Sequence, residues 1–469
     1  MPNTASEQPE YLGALEVDAA LVEDIAHLLE EQQRGMVLNL VADLHPADLA
    51  LLLTHLSSED ARQLLIWLPE EKAGDILPEL DSTYRASLLD QMQLGKVSAL
   101  VDELESDDAA DVVGELPDEL AEQVLPLLED EEDVRELLEY DEDSAGGLMG
   151  REYMAAQKHW TIAEVTEEVR RLAEEVEQVH VVYVLDADEH LVGFMTLKAL
   201  LLAPAHAVIG DLMREEFVSV PTSLDQEEVA RIMERYDLIA LPVVDFDGRL
   251  VGRITIDDVV DVIREEAEED MQLMSGVTGG EEPTDSVLRI TRGRLPWLLV
   301  GLLGAGLSGL VIGTFEMALK QAAVLAAFIP IMMATAGNVG IQCSAIIVQG
   351  LASGDLWTTD LFSRLMKEMA VSMINAVALA VVLAGIILVL PSLSDKIGAF
   401  IEDPVMLALT AGLSLMAVII LSTVIGTAVP LLLDRVEIDH AIATGPFITT
   451  SNDIIGLTVY FWIATLLYL

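Results

Sequence analysis

The chain of 469 residues has a single cysteine, Cys343, which excludes an intrachain disulfide. Lysine is scarce as well: there are seven, within 25 Lys and Arg set against 80 Asp and Glu. The formal net charge of −55 excludes nucleic acid as a partner, opposes anionic lipid and attracts cations. Little Lys under an acidic surface is also how salt-adapted proteins stay solvated, so bulk charge assigns no site. The first residues hold Glu7 and Glu10 and no apolar run. No secretory signal is expected there, and the acidic part is expected to remain cytoplasmic. The hydrophobic segments contain no His-Glu-x-x-His motif and no Ser/His pairing that would mark an enzyme. No enzyme is expected.

The charge is unevenly placed. From Arg289 onward there are eight Lys and Arg and 11 Asp and Glu, which leaves 17 against 69 in residues 1–288. An acidic soluble half precedes a nearly neutral, apolar half, in a chain too long for one ordinary domain. The soluble half divides further by pattern.

In residues 1–140, Leu44, Leu56, Leu68, Leu80, Leu104, Leu116 and Leu128 recur with a period of 12, and Met92 fills the missing place. Helix-starting residues follow several of them, as in Pro46-Ala-Asp, Ser57-Ser-Glu-Asp and Pro117-Asp-Glu. Each unit reads as a turn plus a short amphipathic helix, and stacked units predict an all-α superhelical domain. Asp107 and Asp111 share a helix face. Alone they read as solvated surface; a second acidic surface opposite would make them ligands.

Residues 141–256 carry a duplication. Val181–Leu200 (VVYVLDADEHLVGFMTLKAL) and Ala240–Val259 (ALPVVDFDGRLVGRITIDDV) align at a separation of 59 residues. Each is a strand, an acidic turn, a second strand and a helix start, preceded by an amphipathic helix expected at Ala163–Glu175 and Gln226–Tyr236. This α/β tandem resembles a CBS-domain pair. The resemblance implies a regulatory module that pairs with itself and senses adenosine nucleotides or ions. The second repeat keeps Thr255-x-x-Asp258, a ribose-holding pattern of such domains, whereas the first has Thr196-x-x-Ala199. Support for ATP is confined to that one repeat.

Residues 257–288 read as an acidic connecting helix and hinge. Asp258, Asp261, Glu265 and Glu269 follow at spacings of 3, 4 and 4, with Glu266 and Asp270 as a second row. Like charges at such spacings cost about 0.2–0.5 kcal/mol each. Bound divalent cations would offset that cost; a solvated linker helix is the other reading. Gly279-Gly280 and Pro283 mark the hinge.

Five membrane spans are expected in residues 289–469, at Trp297–Met317, Val324–Leu351, Met369–Leu390, Val405–Leu433 and Ala441–Leu469. With the N-terminus in the cytoplasm, six Lys and Arg fall inside and Lys320 and Lys396 outside, which places the C-terminus outside. Span 2 carries a polar stripe, Asn338, Gln342 and Gln349, after Pro330. It reads either as an ion-path lining or as interhelical glue. The last span holds one ionised group, Asp453, with no Lys, Arg or His after it. A carboxylate at that depth costs at least ~2.5–3.5 kcal/mol and usually faces water or a partner. Gly445-Pro446 and Thr449-Thr450-Ser451-Asn452 are expected to loosen the helix and supply oxygens. All-oxygen surroundings suit a hard cation. An Asp held by its hydroxyl neighbours to bend the helix is the alternative.

Two membrane motifs then become specific. Pro330-x₆-Gly337-Asn338-Val-Gly340-x-Gln342, followed by Gly350 and Gly354, resembles the second span of the MgtE family of magnesium transporters. Gly445-Pro446-Phe-Ile-Thr-Thr-x-x-Asp453-x-x-Gly456 with Tyr460-Phe461 resembles its last span. The order of parts matches along the whole chain. The resemblance implies a homodimer in the cytoplasmic membrane that takes up Mg²⁺ through a pore on the two-fold axis. Asp453 matches the pore aspartate, and Asn338 and Thr449 match pore-lining positions. Regulatory Mg²⁺ is implied at Asp107 and Asp111, at Asp225, Asp237, Asp258 and Asp261, and at Glu266, Glu269 and Asp270. Asp439-His440 departs from the family's Asp-Pro, and Ser451-Asn452 is more polar than the family pattern. Other divalents such as Co²⁺ or Mn²⁺, export, and a membrane-anchored sensor without flux remain as alternatives.

Overall fold

The structure is a computed structural model. It describes residues 17–172, 179–278, 281, 286–352, 361–393, 401, 403–436, 442 and 445–469. The expected hinge at Gly279-Gly280 and Pro283, together with Gly354 and Asp439-His440, lies outside the described residues. The chain forms two compact units, Met1–Ile263 and Arg264–Leu469.

Among the described residues, the first unit begins with ten short helices: α1 (Ala19–Glu30), α2 (Arg34–Leu40), α3 (Pro46–His55), α4 (Ser58–Trp67), α5 (Glu70–Gly74), α6 (Ser82–Leu89), α7 (Leu94–Val101), α8 (Ser106–Glu115), α9 (Asp118–Val124) and α10 (Glu131–Leu137). The 12-residue period has a simple origin. Helices α3 and α4 are ten residues each, joined by a two-residue turn at Leu56-Ser57. The periodic leucines stand in those turns rather than on helix faces: Leu56, Leu68 and Leu116 are the extended residues that end α3, α4 and α8. They pack into one continuous core. Side-chain caps start the helices, with Ser57 accepting from Asp60 N and Asp81 from Tyr84 N.

Two three-stranded sheets follow. The first is β1 (Ala155–Gln157), β2 (Val181–Leu185) and β3 (Leu191–Thr196), with α11 (Ile162–Arg171), α12 (Leu197–Leu202) and α13 (Ile209–Leu212). The second is β4 (Val220–Pro221), β5 (Ala240–Val244) and β6 (Leu250–Thr255), with α14 (Gln226–Tyr236). In each the first pair is parallel and the second antiparallel. The register repeats as well: Val181 faces Thr196 as Ala240 faces Thr255, and the bulge falls at Val184/Leu185 as at Val243/Val244. The first amphipathic helix begins at a Thr161–Glu164 capping box and runs to Arg171. The second repeat shares its core with the helical region, whereas the first has a core of its own.

Helix α15 (Ile256–Met274) starts directly after β6. The boundary between the compact units falls inside it. The second unit continues with α16 (Val287–Thr314), α17 (Glu316–Gln321), α18 (Ile329–Ala352), α19 (Leu361–Leu393), α20 (Pro404–Asp434) and α21 (Pro446–Leu467). Four described segments are long and apolar enough to cross a membrane: Val287–Thr314, Ala323–Leu351, Phe362–Val389 and Pro404–Leu433. Helix α21, with 22 residues, has spanning length, but its first two turns hold the polar run Thr449–Asp453. One expectation changes here. Gly445-Pro446 does not loosen the last helix; Pro446 occupies its first turn, where a missing N–H costs nothing, and so starts it.

Helix α20 is the most enclosed of the four and packs on α18, α19 and α21. Thr423 Oγ1 donates to Ser372 Oγ at 2.6 Å across α20 and α19. Gly426 lies against Gly340, so close that a Cβ at Gly426 would overlap the Gly340 carbonyl. Gly426→Val should therefore destabilise the folded protein by about 1–3 kcal/mol through overpacking. Gly385→Ala, mid-helix and where a Cβ meets nothing, should not destabilise it. Thermal melting in detergent checks both.

Candidate functional site: an acidic cluster and a pore helix

Asp107 lies in the first turn of α8, two residues after Glu105, which precedes the helix. Carboxylates here meet the positive end of the helix dipole. Glu152 arrives from the segment leading to β1. It accepts from Ser106 N at 3.0 Å and Ser106 Oγ at 2.9 Å. Oxygens of Glu105, Asp107 and Glu152 all lie within 4.8 Å of one another. Gly150 permits this approach: a Cβ there would stand 3.0 Å from Asp107 Oδ2 and 3.2 Å from Glu152 Oε2. Gly150 is fixed in turn by reciprocal backbone bonds with Arg253, of 2.8 and 2.9 Å. The buried Arg253 places Nη2 at 3.3 and 3.4 Å from the Glu105 oxygens. Asp258, in the first turn of α15, accepts from Thr255 N at 3.1 Å and Thr255 Oγ1 at 2.6 Å.

Burial, followed by the charges of Asp258, Asp108, Glu105 and Glu152, holds the Asp107 carboxyl well above the usual range. Asp108 is pushed up to about 7, by burial and then by Asp258, against the pull of Arg85. Burial also raises Asp258, and the Thr255 hydroxyl opposes it. Glu105, Asp107 and Glu152 thus lie together, and Asp108 and Asp258 add their negative charge at Asp107. Oxygen donors of this kind fit Mg²⁺, which binds through a few carboxylates and keeps much of its water.

The structure brings Asp107 and Asp258 together and adds Glu105, Asp108 and Glu152, which sequence reasoning missed. Glu152 is 46 residues from Ser106 in the chain, so no local spacing reveals it. Glu105 and Asp108 were legible as further acids at a helix start. Asp111 is exposed one turn along α8, and Asp261 is exposed on α15. Asp225 caps the start of α14, accepting from Glu227 N at 2.9 Å, while Asp237 closes its other end in a left-handed conformation. Eleven helical residues at 1.5 Å each separate them by roughly 16 Å, too far to share one ion. Glu266, Glu269 and Asp270 lie on the part of α15 counted with the second unit, Glu269 exposed and the other two half-exposed. Thr255 and Asp258, the candidate nucleotide pair, bond to each other.

In the second unit, Thr449 and Asp453 share one half-exposed face of α21. Thr449 Oγ1 donates to Pro446 O at 3.1 Å. Gly337 of α18 stands beside Thr449, and the next residue, Asn338, is exposed. Gln342 and Gln349 are exposed too. Within this chain the stripe is therefore not packed between helices. The end of α15 reaches the start of α21: a Cβ at Gly276 would overlap Pro446, and one at Gly445 would lie 3.0 Å from Met274 O.

Three family matches cover these parts. A family described as "Divalent cation transporter" matches residues 329–463, "MgtE intracellular N domain" matches 44–143 and "CBS domain" matches 209–265. The magnesium transporter MgtE of Bacillus subtilis is 33% identical over 333 residues, 71% of each chain. That of Thermus thermophilus is 33% identical over 337 residues, 71% of this chain and 72% of its own. The chain belongs to the MgtE family. A crystal structure of the cytosolic domain of the Mg²⁺ channel MgtE in complex with ATP is 34% identical, with a TM-score of 0.50, and covers 51% of this chain and 99% of that one. As a member of the MgtE family the chain is a membrane transport protein of the magnesium transporter class, not an enzyme.

The raised carboxyls have a pH consequence. Asp108 rises from 3.8 to about 7, so its folded form holds a proton that the unfolded form would release. This contribution to the packed arrangement is complete below about 4 and is lost as the pH rises through about 7. Without divalent cations, protection factors in α8, corrected for the intrinsic rise of amide exchange with pH, should fall between pH 6 and pH 8. Saturating Mg²⁺ should remove that difference.

Proposed function

We propose that the chain is a Mg²⁺ channel, conducting inward across the cytoplasmic membrane as a homodimer, and closed by cytosolic Mg²⁺ bound at its acidic cluster. The observation that carries the gating half is the convergence of Glu105, Asp107 and Glu152, with Asp258 adding its charge. Two unit charges ~6 Å apart repel by roughly 0.7 kcal/mol even in water, and more where solvent is excluded. Several such pairs open the arrangement when Mg²⁺ is low, and Mg²⁺ between them reverses the sign. Helix α15 carries Asp258 in its first turn, and its end abuts Gly445–Pro446 at the start of α21. Cation binding at one end of this helix is thereby coupled to the helix that bears Asp453. Asp111, Asp225, Asp237, Asp261, Glu266, Glu269 and Asp270 belong to the same regulatory charge in this reading, at more than one ion site.

For conduction, the half-exposed face of Thr449 and Asp453 and the exposed Asn338 line the path, with Asp453 supplied once by each protomer. Two carboxylates and nearby carbonyls hold a hydrated Mg²⁺ without stripping it, which suits an ion that dehydrates reluctantly. The exposed polar stripe on α18 supports a pore between protomers rather than within one. The soluble unit and the Arg-rich start of α16 lie on the cytoplasmic side and the C-terminus outside, as the distribution of Lys and Arg favours. ATP is a second ligand in this proposal, supported by the Thr255–Asp258 pair and by the ATP complex of the related cytosolic domain. Because Asp258 belongs to both sites, nucleotide and Mg²⁺ affinities are linked.

Mg²⁺ flux into proteoliposomes tests the proposal. Wild type should conduct at low cytosolic Mg²⁺ and fall silent at high, and Asp453→Ala should be silent at both. Asp107→Asn and Glu152→Gln should conduct, and half-closure should need about tenfold more cytosolic Mg²⁺, the loss of a charge-assisted contact worth roughly 1.5 kcal/mol. Absent flux from a well-folded dimer would leave a membrane-anchored sensor as the function. Preference for Co²⁺ or Mn²⁺, or net outward movement, would reassign cargo or direction.

A further inference from the structure

Asn452 is buried inside the apolar body of the second unit, 1% exposed, beside a residue that is only half-buried, Asp453. Its amide Nδ2 donates to the Ala336 carbonyl of α18 at 3.2 Å. The acceptor is a carbonyl, so the NH₂ end of the amide must face it. The other end, Oδ1, has no hydrogen-bond partner among the described residues. A leucine would fill this space without burying an unmet acceptor. Packing alone thus gives no reason for an amide here.

The space itself is made by glycine. A Cβ at Gly340 would overlap the Asn452 amide and crowd Ile448. On the other flank of the same turn, Thr450 seats against α16 where a Cβ at Gly304 would overlap its side chain. Successive helical residues are 100° apart, so Thr450 and Asn452 lie on opposite flanks of the face that carries Thr449 and Asp453. Two turns on, Tyr460 donates from its hydroxyl to Leu325 O at 2.7 Å, a second bond from α21 to a backbone carbonyl. Rotation of α21 is thereby blocked on both sides at the level of Asp453, and its depth is set at Tyr460.

From this geometry we infer that Asn452 is a positioning residue for ion selection. Its bond to Ala336 O, in the notch left by Gly340, fixes the direction in which the Asp453 carboxylate points. The inference rests on the reading of Asp453 as the pore carboxylate. Small rotations of α21 change the spacing of carboxylates contributed by two protomers, and that spacing separates Mg²⁺ from the larger Ca²⁺.

The test is the ratio of Mg²⁺ to Ca²⁺ flux in proteoliposomes of full-length protein, normalised to folded dimer. Asn452→Leu, similar in volume but without the amide, should lower the ratio about fivefold, the usual worth of one hydrogen bond. Gly340→Ala, which keeps Asn452 but displaces it, should lower the ratio in the same direction. If Gly340→Ala folds poorly, Asn452→Ala alone, which removes the amide without adding bulk, should still show the lowered ratio. A residue that only packs would reduce the yield of folded protein and leave the ratio alone. An unchanged ratio in folded Asn452→Leu protein, while Asp453→Ala abolishes flux, overturns the positioning role and spares the pore reading. Unchanged flux in Asp453→Ala overturns both.

Discussion

Oxygens of Glu105, Asp107 and Glu152 are held within 4.8 Å of one another against their mutual repulsion. The start of α8 delivers Glu105, Asp107 and Asp108, the chain before β1 returns Glu152 to them, and β6 runs into α15 with Asp258 in its first turn. The apolar core shared by the helical region and the second sheet repeat forces this convergence. Arg253 and the helix dipole offset only part of the charge. Such a cluster is stable when something positive enters it, a proton or a cation. In the proposed gating, the response to cation concentration follows from electrostatics alone, without a pre-shaped cage.

In the proposed reading the second unit holds one carboxylate, Asp453, at a defined angle in an apolar setting. It does so with glycines that let other helices close in. Gly304 and Gly340 receive Thr450 and Asn452, and Gly426 lets α20 approach α18. Between them the Thr449–Asp453 face is left half-exposed. Bulk hydrophobicity drives none of this, since lipid is as apolar as the helices; contact at small residues and bonds to carbonyls do. The tight seat of Gly276 on Pro446 adds a mechanical link from α15 to the same helix.

Much of this was legible in the sequence because periodicity and duplication are local signals. The 12-residue leucine period reported ten helical residues plus a turn, although it marked the turns and not the helix faces. The 59-residue offset between repeats reappears in strand register and even in the bulge. The long apolar runs gave the spans, with boundaries moved where Pro330 and Pro446 start helices rather than interrupt them. What stayed hidden depended on distance in the chain. Glu152 joins Asp107 only through the fold, and Asp225 and Asp237 part because α14 stands between them. Asn452 looked like a departure from the family pattern, and only the Gly340 notch gives it a partner.

The most direct test of the account compares two titrations on one preparation of full-length protein in liposomes. Cytosolic Mg²⁺ is raised in steps while amide exchange in α8 and the first turns of α15 is followed alongside Mg²⁺ flux. Protection of these helices and loss of flux should share one midpoint and shift together in Asp107→Asn. Flux that closes while α8 and α15 keep the same exchange rates would contradict it.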